Sequence, residues 1–166
     1  MFAALLALLA CHAAPDVSSC DACDRCVVEH LSSSSRDHVS GGIDYPDPPP
    51  AGGDHDPCWT TWGVHTEEVP DENWVHNLEH GGVVFLTNCP DGCPEDWDTL
   101  AGIVDAHPGQ AVLTPYSLMD DRFAVVAWEY RMLTDCVDPA AFDAFFQDHV
   151  DQAPESETAA PGASCM

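Results

Sequence analysis

Asn73-Trp74-Val75-His76-Asn77-Leu78-Glu79-His80-Gly81-Gly82-Val83-Val84-Phe85-Leu86 is the stretch on which the reading of this chain turns. It packs two histidines and a glutamate into five residues, then a glycine pair, then an apolar run. On a helical turn, positions i, i+3 and i+4 share a face, so His76, Glu79 and His80 point the same way. On a strand, His76 and His80 still share a face while Glu79 turns to the other. Either geometry brings the two imidazoles together. Gly81-Gly82 then lets the backbone turn sharply into a buried strand over Gly82–Thr87.

Outward from this stretch the chain reads as short strands and helices. Pro94–Ala106 carries Trp97, Leu100, Ile103 and Val104 at helical spacing, and Pro108-Gly109 stops it. Ala111–Thr114 is a short strand ending at Pro115, and Phe123–Tyr130 is a longer one after the Asp120-Asp121 turn. Asp138-Pro139 opens a last amphipathic helix with Phe142, Phe145, Phe146 and Val150 on one side. Upstream, Tyr45–His55 holds four prolines and two glycines and forms an irregular loop. The order predicts an α+β fold: a small two-layer sandwich with a mostly antiparallel sheet, two helices on one face, and a long Pro-rich N-terminal loop. Ala111–Thr114 and Phe123–Tyr130 are expected to form a hairpin beside the first strand. A thioredoxin-like half is compatible with the strand-strand-helix ending.

Composition narrows the possible partners. Among 166 residues, 29 are acidic and four are basic, for a formal net charge of −25. Such a surface repels nucleic acid and anionic headgroups, so polyanion binding is not expected. Residues 1–10 are almost wholly apolar and too short to span a bilayer, as in a secretory signal peptide, although no basic residue precedes the apolar run. Leu8-Leu9-Ala10-Cys11 resembles the bacterial lipoprotein cleavage box. That resemblance implies lipidation of Cys11 and an exported, membrane-anchored protein in the periplasm or on the cell surface.

Residues 11–37 read as a Cys/Ser-rich tether, 38–152 as one globular domain, and 153–166 as a flexible acidic tail with Cys165 able to pin it. Nine cysteines less Cys11 leave eight for disulfides, with Cys89 paired to Cys93 or to Cys136. Cys20, Cys23, Cys26 and His30 also match a Cys3His zinc site. A thioredoxin-type pair needs a strand before it and a helix after it, and the tether offers no strand.

Several pieces together resemble a bacterial and fungal family known as domain of unknown function 3105. They are His38-Val39, the loop Pro48–His55, Trp62-Gly63, Val75-His-Asn-Leu-Glu-His-Gly-Gly-Val83, Leu113-Thr-Pro-Tyr116 and Ala127-Trp128, ahead of the acidic-started last helix. The resemblance runs from about His38 to His149. It implies an exported or membrane-anchored protein. The usual loop of the family resembles Pro-Pro-Thr-Ser-Gly-Pro-His. Ala51-Gly52-Gly53-Asp54 departs from that pattern but keeps the closing His55.

The site reading is a metal centre for zinc or copper, both of which favour imidazole. Its ligands are His76 and His80, joined by His55 and His38 from the loop. Glu79 is a ligand, an orienting partner or, in a metal-dependent hydrolase, the catalytic base. His76–His80 also spells the His-x-x-Glu-His pattern of inverted zinc peptidases, but Gly81-Gly82 ends the long helix those enzymes need. Cys58 beside His55 and His65 offers a cysteine–histidine nucleophile pair, against which disulfide bonding competes. In a third reading the histidines are structural, bonding backbone groups in an interaction protein. Trp59, Trp62 and Trp74 either line a ligand cleft or form the core of a loop-rich lobe.

Overall fold

A computed structural model describes residues 20–156. Residues 1–10, Cys11 and Cys165 lie outside the described residues. The elements are β1 (Cys26–His30), β2 (Gly63–Val64), α1 (Asp71–Glu79), β3 (Val83–Thr87), α2 (Pro94–Asp105), β4 (Ala111–Pro115), β5 (Phe123–Ala127), β6 (Tyr130–Thr134) and α3 (Pro139–His149). The fold is α+β, with one open six-stranded sheet in the order β1-β6-β5-β3-β4-β2.

β3 sits inside the sheet and every one of its residues is buried, which its unbroken Val-Val-Phe-Leu run requires. Alternation sends Val83 and Phe85 to one face, with Leu100 and Val104 of α2 and Phe142, Phe145 and Phe146 of α3. Val84 and Leu86 go to the other face, with Trp74, Val75 and Leu78 of α1. The two expected helices do share one face. The third, α1, covers the opposite face, so the sheet is sandwiched on both sides rather than one.

Strand pairing departs from expectation in three places. β4 pairs parallel to β3, Val83 opposite Ala111, and not with β5. The α2 crossover explains this, since a helix between two strands carries the chain back to run in the same direction. β5 instead lies antiparallel to β3 on its other side, giving a mixed sheet. Phe123–Tyr130 is also not one strand: β5 turns at Trp128-Glu129 and returns as β6. No glycine marks this turn, and Glu129 holds φ +63. Distant segments hold it there, through Glu129 N–H to Ala51 O (2.6 Å), Leu31 N–H to Glu129 O (2.7 Å) and Ser33 N–H to Glu129 Oε1 (2.9 Å).

The expected tether also needs correction. Cys26–His30 is an edge strand, antiparallel to β6. Cys20–Cys26 and Cys23–Cys136 are disulfides, so these cysteines are not a Cys3His zinc site. Cys89 pairs with Cys93 and not with Cys136. Cys58 is disulfide-bonded as well, which removes it as a nucleophile. The loop Tyr45–Asp54 holds neither helix nor strand. It is fastened to the sheet by Arg131, whose guanidinium donates to Asp47 O and Pro49 O (both 3.0 Å) and pairs with Asp47 and Glu29. The local signals of α3 stand as read: Asp138 caps it, accepting from Ala140 N–H and Ala141 N–H, with Pro139 next.

Candidate metal centre

The quoted stretch is helical up to Glu79, so His76, Glu79 and His80 stand on one face of the end of α1. The glycine pair ends the helix as a Schellman cap. Gly82 N–H reaches Asn77 O and Gly81 N–H reaches Leu78 O, both at 2.9 Å, and Gly81 takes φ +86. A Cβ on Gly82 would lie 2.4 Å from the Trp62 ring, so the second glycine is required for close packing.

The segment before α1 is stitched along its polar face. Asn73 Nδ2 donates to Cys58 O (2.6 Å). The Asn77 amide pairs with both backbone groups of Thr60 at 3.0 Å, and Asp56 N–H bonds Glu72 O. His55, at the head of this segment, is fully buried beside the helix. His38 comes with it through a parallel bridge in which Val39 N–H donates to His55 O (2.8 Å) and His55 N–H to Asp37 O (3.1 Å). Asp54 steadies the bridge by accepting from the Ser35 hydroxyl and Asp37 N–H. Those bonds, the Ser35 one foremost, hold its carboxyl below the ordinary range.

Ligand atoms of His38, His55, His76 and Glu79 lie within 4.8 Å of one another, a group that can hold a metal ion. The tautomers follow from the outer hydrogen bonds. Nδ1 lies 2.8 Å from Gly53 O in His55, 2.8 Å from Asp56 O in His76 and 3.0 Å from Glu155 O in His80. A carbonyl only accepts, so each Nδ1 carries a proton, and a ring that holds that one proton turns a bare Nε2 lone pair inward. His55 Nε2 is 3.0 Å from Glu79 Oε2, His38 Nε2 is 3.8 Å from the same oxygen, and His76 Nε2 is 3.0 Å from His80 Nε2. Among the described residues, His55 Nε2 and Glu79 Oε2 are buried and make no hydrogen bond, even to each other.

His80 stands at the rim. It is not in the four-residue group but joins Glu79 and Glu155 in an adjoining one. Trp59 meets His76 and His80 edge-on, at 5.2 and 4.3 Å between ring centres. Of the other two tryptophans, Trp74 is core, against Tyr116, and Trp62 packs on Gly82. His65 bonds Thr61 O, away from the cluster's own bonds. Burial pulls His76 down to about 4, and the neighbouring His55, His80 and His38 press the same way against the hydrogen bond to Asp56 O. His76 is therefore a neutral, lone-pair donor at neutral pH.

Two participants had no sequence signal. Arg36 Nη1 lies 3.6 Å from Glu79 Oε1 and 3.3 Å from Glu155 Oε1, reaching over from the Ser-rich segment. Residues 151–155 return to the end of α1, where Glu155 N–H bonds Glu79 O (3.0 Å) and Asp151 N–H bonds Gly81 O (2.9 Å). No curated protein and no solved structure matches the chain. Residues 38–165 match the family described as "Protein of unknown function (DUF3105)", and the span from the His38 bridge through the His76–His80 helix end lies inside that match: the chain belongs to this family.

Proposed function

We propose that this domain binds one transition-metal ion, zinc or copper, through His38, His55, His76 and Glu79, with His80 as a flanking imidazole. One observation carries the reading. His55 Nε2 and Glu79 Oε2 are buried 3.0 Å apart, and neither makes a hydrogen bond among the described residues. Two lone pairs at that distance repel unless a cation sits between or beside them. Metal bonds of about 2.0–2.2 Å place neighbouring ligand atoms of one tetrahedral shell about 3.3–3.6 Å apart, between the 3.0 and 3.8 Å that separate His55 Nε2 and His38 Nε2 from Glu79 Oε2. The outer bonds agree, since a ligating imidazole ordinarily gives its second N–H to a carbonyl or carboxylate.

The same placement favours Glu79 as a ligand over Glu79 as a hydrolytic base. A base needs a free oxygen facing a water or substrate. Here Oε2 faces two imidazoles and Oε1 faces Arg36. The purely structural reading accounts for the three Nδ1 bonds but leaves the inward Nε2 atoms without a role. The function is then metal handling or a metal-supported binding module. The Leu-Leu-Ala-Cys11 ending supports an exported domain held to a membrane by a lipid on Cys11. The net charge of −25 suits cations and disfavours nucleic acid as a partner.

The deciding experiment is elemental analysis of the full chain after loading with zinc or copper, beside His55→Ala/His76→Ala. Stoichiometric metal in the first and none in the second, with unchanged circular dichroism, supports the centre. A wild type that retains no metal would leave the histidines structural. Palmitate labelling that vanishes in Cys11→Ser tests the anchor separately.

A further inference from the structure

We infer that Cys89 and Cys93 form a second functional site, a disulfide that undergoes thiol–disulfide exchange with a cysteine pair on a partner polypeptide. It owes nothing to the metal centre. The strand-before, helix-after context that the N-terminal cysteines lack is present here: β3 ends at Thr87, Cys89-Pro-Asp-Gly-Cys93 follows, and α2 begins at Pro94. The pair lies at the carboxyl end of β3. From there the chain crosses through α2 to the parallel β4 on one side, while the antiparallel β5 lies on the other.

A cleft of about 340 Å³ is lined by both cysteines with Thr66, Thr87, Trp97 and Pro115. Both sulfur-bearing residues are half-buried against the core, while Pro90, Asp91 and Gly92 between them are exposed. The bond is therefore reachable from solvent, with an apolar wall behind it.

The two sulfurs are not equivalent. Cys93 is the N-cap residue of α2, and no side chain caps that helix end among the described residues. Pro94 has no N–H, so the amides of Glu95 and Asp96 await an acceptor. Sulfur at that position is stabilised as a thiolate and so makes the better leaving group. The first-turn carboxylates of Glu95 and Asp96 oppose this, and Arg122, 3.5 Å from Asp96, offsets one of them.

The exchange runs in two steps. A partner thiolate attacks Cys89 Sγ, forming a mixed disulfide, and the Cys89–Cys93 bond breaks with its electron pair leaving on Cys93 Sγ. The partner's second thiolate then attacks the partner sulfur of that mixed disulfide and expels Cys89. The partner dithiol is oxidised by two electrons to its disulfide, Cys89 and Cys93 are reduced, and the two protons given up by the partner end on the two cysteines.

The test mixes the oxidised full chain with a reduced synthetic Cys-x-x-Cys peptide, quenches with acid, alkylates and maps thiols by mass spectrometry. A linear peptide of residues 87–97 carrying the same disulfide, but no folded helix or cleft, is the comparator. We expect new thiols at Cys89 and Cys93 only, formed at least about tenfold faster than in the comparator. A rate equal to or below that of the linear peptide overturns the proposal. So does earlier opening of Cys20–Cys26 or Cys23–Cys136.

Discussion

The two ends of β3 carry different chemistry. Before Val83 stand four imidazoles and a carboxylate: backbone carbonyls fix the outer nitrogens of His55, His76 and His80, and ligand atoms of His38, His55, His76 and Glu79 lie within 4.8 Å of one another. After Thr87 stands a single short disulfide loop, half-open to solvent, over a cleft. The first end is over-determined: His55 is held by the bridge to His38, by Gly53 O and by the stitched segment up to Thr60. The second is held by one covalent bond and one helix start. A centre meant to hold an ion needs ligands that cannot relax away from one another. A bond meant to open needs neighbours that survive its opening. One strand, rigid because it is buried on both faces, serves as the fixed reference for both.

That contrast is open to attack at several points, and the strongest concerns the disulfides. In the loop-entropy account, removing Cys23–Cys136, 113 positions apart, costs about 5 kcal/mol, while removing Cys89–Cys93, four apart, costs about 2. Urea unfolding of Cys23→Ala/Cys136→Ala and Cys89→Ser/Cys93→Ser measures both. Equal losses would make the short loop a staple like the other. The short-loop variant is also expected to bind metal as tightly as the parent chain. Loss of metal there would show the two ends of β3 to be one site.

At the histidine end, changing a partner of a metal ligand commonly weakens binding by about 10–100-fold, so losing a ligand exceeds about 100-fold. His55→Ala is expected to show that loss in competition against a chelating dye, with the circular dichroism of the folded parent in the absence of metal and a lower melting temperature from the vacated buried site. A drop below about tenfold would move His55 out of the ligand set. Gly82→Ala is expected to cost about 1–3 kcal/mol by overpacking, because its Cβ meets Trp62 at 2.4 Å and Asn77 O at 2.9 Å. Thermal melts check the value, and metal affinity should fall with it, since this glycine closes the helix that carries His76 and Glu79.

The smallest effect is a pH dependence. His76 has a folded-state value of about 4 against an ordinary 6.5, so between those values the unfolded chain binds the extra proton. Stability must then fall as pH drops from 6.5 toward 4, by about 1 kcal/mol between pH 6.5 and 5.5. The metal-free parent chain is expected to lose this increment relative to His76→Gln in melts at the two pH values. A parallel pair of curves would mean that His76 is not desolvated.

Much of the site was legible because it is local. The i, i+3, i+4 spacing of His76, Glu79 and His80 fixes a shared helix face, and Gly81-Gly82 fixes where that helix ends. His55 and His38 were legible as candidates through family resemblance and their place beside the proline loop. Arg36 was not, because a lone arginine in a serine-rich segment carries no periodic signal. Nor was the Glu129 turn, where no glycine marks the positive φ and three hydrogen bonds from distant segments impose it.

By itself, then, the sequence determined what neighbours along the chain can enforce. It determined the helix face, the caps at Gly81 and Asp138, the buried character of Val83–Leu86, and a formal net charge of −25. These rest on side-chain periodicity and on short hydrogen-bonded rings that close within a few residues. Tertiary structure decided the rest: the parallel pairing of β3 with β4, the capture of Cys26–His30 as an edge strand, the partners of the cysteines, and the meeting of His38 and His55 with Glu79. Each of those joins groups far apart in the chain. Which joins form depends on which edges and lone pairs the whole fold leaves without a partner, and no local stretch encodes that.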